Sequence, residues 1–122
     1  MTAKKILVVD DDRDTLEIIE KMLSSKDYAV LTVEDGPHAM EVTNKQHLDL
    51  ILLDYRMPLF SGLWYCNALK HKPNTRNIPI VLVSSGLDEE MIQRAKEVGA
   101  ADYLKKPFGS QELLRVVKKN TL

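Results

Sequence analysis

The hydrophobic positions of this chain follow two alternating periods. Short, nearly continuous apolar runs stand at Lys5–Val9, Tyr28–Val33, Leu50–Asp54 and Ile80–Val83, with a shorter fifth at Asp102–Lys105. Runs of this length, rich in β-branched residues and bounded by polar punctuation, predict buried strands. Between them the apolar residues fall at helical spacing. Leu16, Ile19, Met22 and Leu23 form one stripe within Asp14–Ser25, where early acidic residues suit the helix dipole. Gly36-Pro37 reads as a cap and first helical position, with Ala39, Met40 and Thr43 as a weak inward stripe up to about Gln46. A third helix is predicted from about Gly62 to His71, and Pro73–Pro79, with Asn74 and Asn77, is turn punctuation. Asp88 reads as the cap of a helix with Met91, Ile92, Ala95 and Val98 inside and Gly99 at its stop. Ser110 to about Asn120 closes the chain with Leu113, Leu114 and Val117 inward.

Five strands alternating with five helices predict an α/β fold. Right-handed crossovers make the sheet parallel and cover both its faces. The expected arrangement is a doubly wound, flavodoxin-like (βα)5 sheet in strand order 2-1-3-4-5, with strands 1 and 3 side by side at the switch point. At 122 residues the whole chain, 1–122, is expected to be one domain. A net charge of −1 argues against polyanion binding, so no direct nucleic-acid partner is expected. One cysteine, Cys66, cannot form an internal bridge, and no apolar run approaches the roughly 20 residues that span a bilayer. Met1-Thr2-Ala3-Lys4-Lys5 leads straight into a strand rather than a signal peptide, so a cytoplasmic location off the membrane is expected.

The stretch Leu48–Gly62 carries the first candidate chemistry. Its apolar run stops at Asp54 and gives way to a loop with Pro58 and Gly62. In open parallel sheets ligands bind outside the carboxyl ends of the strands, so an ionisable group there is a functional candidate. An Asp in that place also serves as a turn former or cap, and the other strand ends separate the two readings. The first strand ends in Asp10, Asp11 and Asp12, the fourth in Ser84 and Ser85, the fifth at Lys106 and Pro107. The predicted order brings Asp10, Asp11 and Asp54 to one crevice flanked by Ser84 and Lys106. Three carboxylates within about 5 Å repel by roughly 3 kcal/mol per pair at an effective dielectric near 20, so they need a cation or protons. Hard oxygen donors without a His or Cys cluster suit Mg²⁺ rather than Zn²⁺. With a lysine and a hydroxyl opposite, such a pocket can neutralise a transferring phosphoryl group, and Asp54 would be the nucleophile.

Four motifs in this order, Val8-Val9-Asp10-Asp11-Asp12, Leu53-Asp54-Tyr55-Arg56-Met57-Pro58, Val83-Ser84-Ser85 and Lys105-Lys106-Pro107-Phe108, resemble the receiver domain of two-component response regulators, of the chemotaxis and sporulation single-domain type. The resemblance runs from Lys5 to about Lys119. It implies that Asp54 accepts a phosphoryl group from a phosphohistidine of a sensor histidine kinase or phosphotransfer protein. It further implies that Asp11, Asp54 and the Arg56 backbone carbonyl ligate Mg²⁺, with Asp10 acting through water. Lys106 would hold the phosphoryl oxygens, Pro107 would follow a cis peptide bond, and Ser84 and Tyr103 would form the switch. The fourth helix, fifth strand and fifth helix would be the face for an output protein or a homodimer. The chain would then be a signalling domain, not an enzyme, that assists its own phosphorylation and slow autodephosphorylation.

Two positions depart from the usual pattern: Ser61 stands where an acidic residue is common, and Arg56 places a long cation two residues after the acceptor. Asp12 reads as a loop or capping residue, and His38, His47 and His71 as scattered surface groups. Cys66 falls in phase with Leu63 and Leu69 as a small core residue. Trp64 falls out of that phase and should be partly exposed, which fits either a partner contact or an ordinary surface aromatic. Arg94, Lys96, Lys105, Arg115, Lys118 and Lys119 gather near the proposed output face or form a solvated charged surface. Two other functions compete. Asp12-Arg13-Asp14-Thr15 faintly resembles an aspartate-nucleophile phosphatase motif, though it lacks the usual glycine and a cap. An unphosphorylated interaction module of receiver shape is the third reading.

Overall fold

The computed structural model describes residues 3–57 and 60–122. Met1, Thr2, Pro58 and Leu59 lie outside them, Pro58 of the second motif included. Among the described residues, five strands alternate with five helices. The order is β1 (Lys5–Val9), α1 (Arg13–Ser24), β2 (Ala29–Val33), α2 (Gly36–Lys45), β3 (Leu50–Asp54), α3 (Gly62–Lys70), β4 (Ile80–Ser84), α4 (Glu89–Glu97), β5 (Asp102–Lys105) and α5 (Ser110–Asn120). All strand pairs are parallel, as the alternation predicts, and the sheet order is the expected doubly wound β2-β1-β3-β4-β5.

The continuous apolar runs are explained by two cores, one on each face. Ile6, Val8, Leu50, Leu52, Val81, Val83 and Leu104 pack against α1 and α5. Their neighbours Leu7, Val9, Ile51, Leu53, Ile80 and Leu82 pack against α2, α3 and α4. Every residue of β3 and β4 is buried, because successive side chains enter opposite cores.

Most boundaries fall within a residue of expectation, and the caps account for the shifts. Asp12 accepts the Asp14 N–H and the Thr15 hydroxyl, so α1 opens at Arg13 and the Asp12-Arg13-Asp14-Thr15 stretch is a helix start. Asp35, not Gly36, caps α2: its carboxylate accepts the His38 N–H at 2.8 Å, leaving Gly36 and Pro37 inside the first turn. Asp88 caps α4 as expected. The inward stripe of α4 is thinner than its periodicity suggests, since only Ala95 is fully buried while Met91, Ile92 and Val98 are half-buried.

One packing contact has no counterpart in the periodicity. Tyr65, buried on α3, lays its ring against Gly36 so closely that a Cβ there would stand 1.8 Å from Tyr65 Cζ. The first turns of α2 and α3 therefore meet through an aromatic ring and a missing side chain. Cys66 is fully buried beside it, and burial pushes its thiol up to about 11, so it is an inert core residue at neutral pH.

Candidate functional site

β1 and β3 pair with Val9 opposite Leu53, so the next residue of each, Asp10 and Asp54, stand side by side at the carboxyl rim of the sheet. Asp11 follows on the loop. One carboxylate oxygen from each of Asp10, Asp11 and Asp54 lies within 4.8 Å of the others. Asp10 and Asp54 are buried and Asp11 is exposed. Lys106, directly after β5, reaches across with Nζ 2.8 Å from Asp10 Oδ2 and 3.4 Å from Asp54 Oδ1. The Lys106–Pro107 peptide bond is cis.

Each carboxylate is held differently. Asp10 accepts the Asp12 N–H on Oδ1 at 2.9 Å and Lys106 on Oδ2, so both of its oxygens are engaged by the protein. Asp54 meets Lys106 through Oδ1. Burial first, and the neighbouring Asp10 charge second, push the Asp54 carboxyl up to about 6, against the pull of Lys106. Lys106 is raised in turn: burial opposes its charge, but the hydrogen bond to Asp10 and the charges of Asp54 and Asp10 outweigh it.

This electrostatic arrangement sets a pH dependence. The folded metal-free protein holds the Asp54 proton more tightly than the unfolded chain, where the ordinary value is 3.8. Stability is therefore fully present below about pH 4 and is lost as pH rises towards 6, by about 1–2 kcal/mol after allowance for solvent screening. Urea unfolding of wild type and Asp54→Asn in EDTA from pH 4 to 7.5 should show the wild type falling relative to the variant. Parallel profiles would contradict this account.

The remaining candidates divide into those at the rim and those away from it. Ser84 is buried at the end of β4, where its Oγ accepts the Gly86 N–H at 3.2 Å. Arg56 is exposed on the loop after β3. Tyr103 on β5 is half-buried and lines a surface cavity of about 380 Å³ with Leu87, Ile92, Lys105, Arg115 and Val116. The basic residues around that face are partly paired: Arg94 meets Glu90 at 2.6 Å and Lys119 meets Asp102 at 3.3 Å. Ser61 caps α3 by accepting the Trp64 N–H, a role that Ser and Asp share, so the departure from an acidic residue keeps the helix start. Among the described residues the histidines engage local partners, His38 with Asp35, His47 with Asp49 and His71 with the Asn67 carbonyl. Trp64 is 48% exposed and stacks on Phe60 with ring centroids 4.5 Å apart.

Two contacts at the site were not legible in the sequence. The Gly86 amide that engages Ser84 has no signal beyond its spacing. Gly62, which opens α3, lies against the backbone of Asp54 itself, and its place at a helix start was the one trace available.

The sequence model for the response regulator receiver domain matches residues 6–118. The phosphate regulon transcriptional regulatory protein PhoB of Klebsiella pneumoniae is 37% identical over 116 residues, 95% of this chain and 51% of that protein. The response regulator PleD of Caulobacter vibrioides is 40% identical over 119 residues, 96% of this chain and 26% of its own. The chain thus spans about half the length, or less, of these relatives. Among solved structures, the chemotaxis protein CheY4 of Vibrio cholerae superposes with a TM-score of 0.93 at 29% identity, covering 97% of this chain and 98% of that one. The receiver domain of the sensor histidine kinase PA1611 of Pseudomonas aeruginosa, solved with a magnesium ion in its active-site cleft, superposes with a TM-score of 0.89 at 31% identity and 98% coverage of both chains.

Proposed function

The chain belongs to the response regulator receiver domain family, and on that premise we propose that it takes a phosphoryl group onto Asp54 from a phosphohistidine of a sensor histidine kinase or phosphotransfer protein. The observation that carries this reading is the convergence of Asp10, Asp11 and Lys106 around a buried Asp54 at the carboxyl rim of the sheet. A cluster of hard oxygen donors fits Mg²⁺, which Asp11, Asp54 and the Arg56 backbone carbonyl would hold directly. Asp10 has both oxygens committed to the Asp12 amide and Lys106, which suits a role through bound water. When bound, the ion supplies charge neutralisation for the carboxylates and the incoming phosphoryl oxygens.

The transfer balances simply. An Asp54 carboxylate oxygen forms the new O–P bond as the P–N bond of the donor breaks, and the electron pair returns to the imidazole nitrogen. Lys106 neutralises phosphoryl oxygens as charge develops on them. Ser84 accepts the Gly86 N–H through its oxygen, which leaves its own proton free to donate to the phosphoryl group. That new charge-assisted hydrogen bond would bias β4, Tyr103 and the α4–β5–α5 face towards the form that binds an output protein or a second copy. The donor would approach over the apolar groove beside Lys106, where Thr15, Ile18 and Ile19 of α1 face Pro107 and Phe108 and Ile18 is 51% exposed. The domain is a signalling element whose residues assist their own phosphorylation and its slow hydrolytic reversal.

Intact mass after incubation with acetyl phosphate tests the reading. One phosphoryl group should be gained with Mg²⁺ and none after chelation. An unmodified wild type under both conditions, with no adduct of a stable phosphoryl mimic either, would point to an interaction module instead. Arg56 sets a further expectation. Its exposed guanidinium two residues after the acceptor can clamp a phosphoryl oxygen or obstruct attacking water, so Arg56→Asn should lose the phosphoryl group several-fold faster. Decay of the adduct followed by mass spectrometry checks this, and a slower variant would contradict it.

A further inference from the structure

We propose that Gly62 is a positioning residue for Asp54, acting through backbone contact because it lacks a side chain. The inference rests on Asp54 being the acceptor. A Cβ at Gly62 would lie 2.4 Å from the Asp54 carbonyl oxygen, 3.1 Å from its carbonyl carbon and 3.0 Å from Tyr55 Cα. The Gly62 N–H donates to the Tyr55 carbonyl at 2.7 Å, while the Tyr55 N–H donates to Val83 of β4 at 2.8 Å. The chain leaving the acceptor is therefore gripped from two sides, by β4 through one amide and by the first residue of α3 through the other.

The glycine is not required by the helix it opens. Gly62 has no positive φ, so an alanine at this first helical position would be conformationally ordinary. The demand comes from the approach to Asp54. The atoms in the way are backbone, so no rotamer change relieves the clash, and the gap must open from 2.4 Å to at least 3.0 Å. Asp10, Asp11 and Lys106 belong to other segments, so a shift confined to the end of β3 moves Asp54 relative to all three. Misplacement of a reacting group on the scale of 1 Å can cost about 10²-fold in rate.

The test compares Gly62→Ala with wild type in Mg²⁺ affinity and in the initial rate of phosphoryl gain from acetyl phosphate, at a temperature where a thermal melt shows both folded. The expected result is Mg²⁺ affinity at least tenfold weaker and a rate some 30- to 100-fold lower. Values within twofold of wild type, even in a less stable variant, would overturn the proposal. Failure of the acceptor reading shows separately, as absence of phosphoryl gain in the wild type, and the Mg²⁺ comparison still decides on Gly62. If Gly62→Ala does not fold, hydrogen exchange of the Gly62 amide in wild type decides instead: a gain in protection on adding Mg²⁺ at least tenfold beyond that of core amides of β1 supports the coupling, and a gain no larger than theirs refutes it.

Discussion

Asp54→Asn should gain no phosphoryl group from acetyl phosphate at any Mg²⁺ concentration, while its metal-free form becomes more stable than wild type at neutral pH. The first half follows from chemistry, since a carboxamide oxygen is a poor nucleophile and cannot give an acyl phosphate. The second follows from the site. A buried carboxyl pushed up to about 6 by burial and by Asp10 is a group whose charge costs stability at pH 7. A neutral isostere removes that cost, about 1–2 kcal/mol, and keeps the shape. Intact mass and urea unfolding in EDTA read the two effects independently. A variant that still takes up one phosphoryl group would move the acceptor elsewhere, and one less stable than wild type would mean that the Lys106 contact outweighs the repulsion.

Lys106→Met should change two properties in opposite directions. Methionine retains most of the apolar stem but removes the cation that lies 2.8 Å from Asp10 and 3.4 Å from Asp54. Phosphoryl gain should slow by about 10²-fold, the typical loss when one preorganised donor to a developing anion is deleted. Mg²⁺ should bind about tenfold more tightly, because the carboxylates lose a competing positive charge worth at least 1.4 kcal/mol at these distances. Magnesium titration and mass spectrometry separate the two. A purely structural lysine would weaken both together, and that outcome would remove Lys106 from the transfer step.

The strands were legible because they lie at the centre of the sheet. Leu50–Leu53 and Ile80–Val83 feed two cores, so nearly every position must be apolar and the run cannot be mistaken for an amphipathic helix. Alternation implies a parallel sheet, the doubly wound arrangement usual for this length supplies the strand order, and order together with strand ends brings Asp10, Asp11, Asp54 and Lys106 to one rim. The less legible features are those set by single atoms. Asp35 rather than Gly36 caps α2 because a carboxylate three residues before His38 satisfies its amide, and Gly36-Pro37 offered a competing helix start. The α4 stripe is thinner than its pattern because periodicity reports which face turns inward, not how much covers it. The two close approaches, Gly62 on Asp54 across one loop and Gly36 under Tyr65 between two helices, are made through absent side chains. An absent side chain leaves no mark on hydrophobic pattern.

The Gly36–Tyr65 contact couples the mutational fates of two sites. A side chain at position 36 collides with the buried ring at 1.8 Å, so Gly36→Ala alone is overpacked, whereas Tyr65→Ala alone merely leaves a cavity. Both single steps are costly, yet the second change made after the first should restore part of the loss. The two sites are thus bound in sign-dependent epistasis: a larger residue 36 is harmful beside the tyrosine and helpful beside a small residue 65, so a lineage of this fold changes the two together or crosses a less stable intermediate.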